Sequence, residues 1–190
     1  FDYEVSAKTR VDAAVDTAGQ VLVSGRLLAE IASRLPDDVV NLELSGSSLS
    51  VKSGSAKFSL ATMPIEEYPN LPEVEGIAGS IAGDEFASAV SQVATAASRD
   101  DVTPVITGVL LDITASSLTM MATDRYRVAA KELAWSAAGV AEEGLQALIP
   151  ARTLAEIGKT FSHAGSLTIT INVGGERELV AFSSAERTVT

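Results

Sequence analysis

A six-residue run occurs twice: Arg26-Leu27-Leu28-Ala29-Glu30-Ile31 lies over Arg152-Thr153-Leu154-Ala155-Glu156-Ile157 at a spacing of 152 − 26 = 126. Self-similarity at a fixed offset reports one folding unit used more than once. Upstream, Tyr3 and Val5 lie over Tyr126 and Val128 at an offset of 126 − 3 = 123, so three residues are inserted between the two anchors. Hairpin-like segments follow each run, Val39 to Ala61 in one case and Leu167 to Thr190 in the other. The spacing therefore predicts two incomplete copies of one domain. Nothing before Phe1 corresponds to the segment Ile81 to Met121 of the second copy, and Phe1 already lies in an alternating stretch, so the chain reads as a fragment.

Both runs carry helical periodicity. The first is expected from Ser24, a side chain able to cap it, to Leu35, just before Pro36. At about 100° per residue, Leu27, Leu28, Ile31 and Leu35 share one face and Arg26, Glu30 and Arg34 the other. A third helix, Pro150 to Phe161, sets Leu154, Ile157 and Phe161 against Arg152, Glu156 and Lys159. Between them, Asp84 to Ala97 groups Phe86, Val90, Val93 and Ala97 and opposes Ser88, Ser91, Gln92 and Thr95, leading to Arg99.

The rest alternates with period two in short bursts: Val39–Leu44, Leu49–Val51, Phe58–Leu60, Val109–Ile113, Leu118–Met120, Arg127–Leu133, Leu167–Ile171 and Leu179–Phe182. Ser45-Gly46-Ser47-Ser48, Ser53-Gly54-Ser55, Thr114-Ala115-Ser116-Ser117 and Gly174-Gly175 supply turn chemistry between them. The class is α+β, with antiparallel hairpins. Tyr68-Pro69-Asn70-Leu71-Pro72-Glu73 reads as a linker, which divides the chain into residues 1–76 and 77–190.

With 190 residues, 46% of them hydrophobic and 21% charged, the chain can bury a sizeable core. No apolar run approaches the roughly 18 to 20 residues of a membrane span, and no secretory leader opens the chain, which reads as soluble and cytoplasmic. The absence of cysteine removes thiolate nucleophiles and thiolate metal sites; the single histidine, His163, sits in a turn with no adjacent ligand cluster. The pairs Asp37-Asp38, Glu66-Glu67, Asp100-Asp101 and Glu142-Glu143 are consecutive turn residues, better read as solvated charge than as a metal site. No phosphate loop, dinucleotide fingerprint or nucleophile elbow is present. No catalytic residue, metal or cofactor is expected. A net charge of −11 argues against general adhesion to nucleic acid, though a local basic face remains compatible with it.

Binding chemistry concentrates in Met120-Met121-Ala122-Thr123-Asp124-Arg125-Tyr126-Arg127-Val128, where an apolar strand runs into a polar turn and out again. Tyrosine and arginine are enriched at interface hot spots, so the turn suits a short peptide; a plain hairpin with solvated arginines is the alternative. Thr123-Asp124-Arg125-Tyr126-Arg127-Val128 after Gly108-Val109-Leu110-Leu111 resembles the central domain of the bacterial DNA polymerase III beta sliding clamp family. Phe58-Ser59-Leu60-Ala61-Thr62-Met63-Pro64 with Tyr68-Pro69-Asn70-Leu71-Pro72 is similar to the end of that family's first domain, and the alanine-rich composition to its actinobacterial members.

The resemblance implies a DNA-clamp fold: tandem repeated domains, antiparallel sheets outside and helices lining a concave inner face. It implies a homodimeric ring that encircles duplex DNA and tethers the replicative polymerase as a non-enzymatic processivity factor. Residues 1–76 would be the C-terminal part of domain 1 and 77–190 most of domain 2, with domain 3 absent. The DNA-facing residues would be Arg26, Arg34, Arg99, Arg152 and Lys159, making weak, sequence-independent phosphate contacts. Helix pairing of Arg26 with Glu30 and of Arg152 with Glu156 is the plain alternative. A hydrophobic pocket for peptides from the polymerase III alpha subunit, the clamp loader and other clamp-binding proteins would include Ile106, Thr123, Arg125, Tyr126, Arg127 and Val128. Arginine replaces the small residue many members place at position 125. The ring-closing interface would use Ile31, Leu35 and Phe58, which are also natural core residues. Two rivals stand beside this: a stand-alone peptide-binding module of the same scaffold, and a carboxylate-based hydrolase using Asp100, Asp101 or Asp124 with a divalent metal.

Overall fold

The computed structural model describes residues 5–71, 73–100, 103–138, 144–172 and 178–190. Tyr3 of the upstream anchor, Pro72 of the linker, Asp101, Glu142-Glu143 and the Gly174-Gly175 turn lie outside the described residues. The chain folds as two compact units. One is Asp12–Asn70; the other collects the described residues of Phe1–Val11 with Leu71–Thr190. The first strand, β1 (Ala7–Thr9), belongs to the second of these.

In the unit Asp12–Asn70, a short strand β2 (Leu22–Val23) leads into helix α1 (Gly25–Ala32). Strands β3 (Val40–Ser45), β4 (Ser48–Ser53) and β5 (Ala56–Met63) follow. They form one antiparallel sheet in the order β2-β5-β4-β3. Both hairpins turn on glycine at positive φ, Gly46 at 58° and Gly54 at 54°, a conformation glycine adopts without steric cost. The core is small: Leu49, Val51 and Leu60, with Val23, Leu28, Ile31, Leu35 and Phe58 packed around them.

The first helix departs from its sequence pattern in two ways. It ends at Ala32 rather than Leu35, because the residue before proline is pushed out of the helical region. Ser33 caps it, its hydroxyl donating to the Glu30 carbonyl at 2.9 Å, while Arg34 and Leu35 donate to Ile31 and Ala32 in a tighter closing turn. Ser24 does cap the start, accepting from the Leu27 amide at 3.5 Å. Leu27, expected on the inward face, is 51% exposed, since one sheet covers only the stripe of Leu28, Ile31 and Leu35.

The second unit holds a six-stranded and a four-stranded antiparallel sheet. Its elements are β6 (Ile77–Ile81), α2 (Gly83–Val93), β7 (Gly108–Ile113), β8 (Ser117–Thr123) and β9 (Val128–Ala134). They continue through β10 (Ser136–Ala138), β11 (Leu145–Pro150), α3 (Ala151–Phe161), β12 (Leu167–Ile171), β13 (Val180–Ser183) and β14 (Arg187–Val189). The sheet orders are β1-β14-β13-β12-β6-β10 and β11-β7-β8-β9. Two βαβββ halves thus exchange their first strands: β6 pairs with β12 of the other half, and β11 with β7.

Helices α2 and α3 pack side by side on the inner faces of both sheets. Gly158 faces Val90 across the helix contact, where a Cβ would stand 3.4 Å from the valine side chain, an ordinary packing distance. Phe86, Val90 and Val93 of α2 and Leu154, Ile157 and Phe161 of α3 are buried, as their spacing requires. α2 stops at Val93 and tightens into a 3₁₀ turn over Ala94–Ala96, with Ala97 buried beyond it. Trp135 lies directly on Gly79, where any Cβ would collide with its ring.

Candidate functional site

The β8–β9 turn is built by one aspartate. Asp124 accepts from the backbone amides of Tyr126 (3.1 Å) and Arg127 (3.0 Å) through one oxygen, and from Arg127 Nε (3.0 Å) through the other. An aspartate opening a turn offers this backbone mimicry, which shapes the hairpin before any ligand arrives. Thr123 adds a second brace: its hydroxyl donates to the Arg127 carbonyl at 2.8 Å and accepts from the Arg125 amide at 3.1 Å. Partial burial pushes the Asp124 carboxyl up, but the two amides and the Arg127 guanidinium outweigh it and hold the group below the ordinary carboxylate range.

Arg127 then reaches away from the turn and donates to the Thr95 carbonyl at 2.7 Å, tying the hairpin to the 3₁₀ segment after α2. Two of its donors are thus used within the protein, while the side chain stays largely exposed. Sequence reasoning treated the two arginines of this turn as equivalent gripping groups; the structure separates them. Arg125 stands at φ 77°, the left-handed region, with its side chain exposed. Tyr126 is 97% exposed and Val128 73%. Ile106, in the 3₁₀ turn Pro104–Thr107 that packs against β8, is half-buried, and its carbonyl accepts from the Ser98 amide at 2.8 Å. Ile106, Thr123, Arg125, Tyr126, Arg127 and Val128 therefore gather at one end of the four-stranded sheet. Asp124 and Thr95 are the members the sequence left without a role here; aspartate at the first turn position was the available signal.

The basic residues fall in two groups. Arg99 and Arg152 line one cleft of about 560 Å³ between the end of α2 and the start of α3, together with Ser91, Thr95, Thr107 and Thr153. Lys159 lies further along α3, exposed and paired with Glu156 at 2.7 Å. In the other unit Arg26 and Arg34 are both exposed, Arg26 on α1 and Arg34 in the turn after it. The expected helix pairs are not formed: among the described residues neither Arg26–Glu30 nor Arg152–Glu156 comes within 4.0 Å, and Glu156 takes Lys159 instead. Ile31, Leu35 and Phe58 come together as half-buried residues on the core of Leu49, Val51 and Leu60.

His163 is exposed in the turn after α3. Among the described residues no group of three or more His, Asp or Glu side chains is placed to hold a metal ion, and no helix is long and apolar enough to cross a membrane.

The family models for the DNA polymerase III beta subunit match the chain in two places: the N-terminal domain over residues 1–72 and the central domain over residues 80–190. The chain belongs to the DNA polymerase III beta subunit family, the beta sliding clamps. It is 47% identical over 190 residues to the beta sliding clamp of Micrococcus luteus, covering 100% of this chain and 60% of that protein. It is 43% identical to the beta sliding clamp of Streptomyces coelicolor, covering 100% of this chain and 50% of that one. The chain thus spans about half the length of the curated relatives it matches. In structure it is similar to the Pseudomonas aeruginosa DNA polymerase III subunit beta bound to griselimycin, with TM-score 0.84, 26% identity, and coverage of 99% of this chain and 50% of that one. It is also similar to the Helicobacter pylori beta clamp bound to a DNA ligase peptide, with TM-score 0.84 and 21% identity over 99% of this chain, a likeness of fold.

Proposed function

We propose that the chain is part of a DNA polymerase processivity factor: a non-catalytic clamp that encircles duplex DNA as a homodimer and docks the replicative polymerase through a short peptide. Residues 1–76 are read as the C-terminal part of domain 1 and 77–190 as most of domain 2, a division supported by the ranges of the two family matches, although the compact units group Phe1–Val11 with Leu71–Thr190. The protein would act in the cytoplasm, where replication takes place.

Arg26, Arg34, Arg99, Arg152 and Lys159 are assigned to the DNA-facing helix surfaces. Their charge is exposed, and Lys159 is partly offset by Glu156, which suits screened phosphate contacts that let a clamp slide rather than grip. Retention comes from encirclement, so a net charge of −11 is no obstacle. Ile31, Leu35 and Phe58 are assigned to ring closure, being among the half-buried apolar residues, with Val23 and Leu28, around the small core of Leu49, Val51 and Leu60.

The peptide pocket is assigned to Ile106, Thr123, Arg125, Tyr126, Arg127 and Val128, serving the polymerase III alpha subunit, the clamp loader and other clamp-binding proteins. The observation that carries it is a braced turn presenting Tyr126 and Val128 almost bare beside Ile106: large apolar groups held rigidly in water are what an interface hot spot requires. Tyr126→Ala in the gene product carrying these residues should weaken binding of a polymerase-derived tail peptide by about tenfold or more in calorimetry. Unchanged affinity removes the assignment. Arg99→Glu with Arg152→Glu should shorten retention on nicked circular DNA while leaving peptide affinity as it was.

A further inference from the structure

Among the described residues three hairpin turns contain a residue at positive φ, and in two of them it is glycine, Gly46 and Gly54. In the third it is Arg125, at φ 77°. For a side-chain-bearing residue this conformation costs roughly 1–2 kcal/mol relative to glycine. Among the described residues the side chain forms no bond: the one bond of Arg125 is from its backbone amide to Thr123 Oγ1. Asp124, the adjacent carboxylate, is already saturated by two amides and Arg127. Arg127 is in turn committed to Asp124 and to the Thr95 carbonyl. The turn therefore carries one uncompensated guanidinium, next to the 97% exposed Tyr126 and the 73% exposed Val128. A strained residue with no internal partner, placed beside an open apolar surface, points outward to a ligand.

Building on the pocket reading above, we infer that Arg125 is a specificity-determining residue, which makes this pocket favour peptides bearing a carboxylate side chain next to their apolar anchors. Guanidinium presents paired donors that match a carboxylate, and the rigid turn fixes where they begin. Arg127 is a positioning residue: its bonds to Asp124 and to the Thr95 carbonyl hold the turn to the segment after α2.

The test uses two synthetic tail peptides that differ at one residue flanking the apolar anchors, Glu in one and Gln in the other, titrated by calorimetry into the gene product carrying these residues. The Glu peptide should bind about three to five times more tightly at low ionic strength, a margin typical of an exposed ion pair that shrinks as salt is added. Arg125→Gln and Arg125→Gly should erase the preference, bringing the Glu and Gln peptides to equal affinity; Arg125→Gly relieves the backbone, so folding is not at issue. Arg125→Glu should reverse the preference. Equal affinities on the unaltered protein, or a preference that survives Arg125→Gln, overturn the inference while leaving the pocket intact. Failure of both peptides to bind removes the pocket reading and this inference with it.

Discussion

Strands β3 and β12 occupy the same place in the two copies of the repeat and have opposite fates. Val40, Leu42 and Leu44 fall over Leu167, Ile169 and Ile171 at an offset of 167 − 40 = 127, and the alternation is equally regular in both. Leu167, Ile169 and Ile171 are 0%, 0% and 6% exposed; Val40, Leu42 and Leu44 are 45%, 63% and 51% exposed. The difference lies in the neighbours. β12 has β6 along one edge and β13 along the other, and its inner face belongs to the core that includes α2 and α3. Among the described residues β3 pairs only with β4, and helix α1 packs on the sheet at β5 instead. The helices echo this: Gly158, buried against Val90, corresponds to Ala32, which is exposed. A period-two pattern defines which face is apolar, while burial requires a second layer supplied from elsewhere in the chain.

The largest expected consequence is an asymmetry between equivalent truncations. In the 190-residue chain Ile169→Ala should cost about 2–5 kcal/mol, the range for a fully buried aliphatic, and Leu42→Ala less than about 1 kcal/mol. Hydrogen exchange followed residue by residue measures both; similar costs would break the comparison. Next come the helix starts. A Cβ at Gly83 would stand 2.3 Å from the Phe161 carbonyl oxygen and 2.5 Å from that of Ala164, so Gly83→Ala should destabilise its unit by about 1–3 kcal/mol. Gly25 has nothing within 4 Å, and Gly25→Ala should stabilise by about 0.4–1 kcal/mol through the unfolded chain. Thermal melts of the two variants should move in opposite directions.

The turns extend the contrast. Arg125→Gly should raise stability by about 1 kcal/mol by placing glycine where Gly46 and Gly54 already are. A melting temperature that falls would show that the arginine makes a contact worth more than its strain.

The smallest effect is in acid. The Asp124 carboxyl is lowered in the folded protein, so its contribution is complete above the ordinary carboxylate value of about 4 and is lost as pH falls through the lowered one. The Tyr126 and Arg127 amide resonances should hold steady from neutral pH to about 5 and move only below about 4. The exposed Glu43, lowered by its hydrogen bond from Lys52 at 3.0 Å, should follow the same sign in the other unit.

Much of this was legible in the chain itself. Caps, prolines and apolar stripes located all three helices to within a few residues, and glycine located the hairpin turns at Gly46 and Gly54, because these signals act over one turn of backbone. What escaped depends on partners far away in sequence. The pairing of β1 with β14, and the exchange of β6 and β11 between halves, leave no local trace. Leu27 reads as inward because its spacing is right, yet no layer reaches it. At the turn, residue types announced binding chemistry, but the division of labour between Arg125 and Arg127 depends on the Thr95 carbonyl, 32 positions away.

The most direct test of the account is to map, by nuclear magnetic resonance on the gene product carrying these residues, where a polymerase-derived tail peptide lands. Saturable shifts in the amides of Ile106 and of Thr123 through Val128, with the Val40–Ser45 strand unmoved, are the predicted result. Saturable shifts confined to another surface, or none at any peptide concentration, would contradict it.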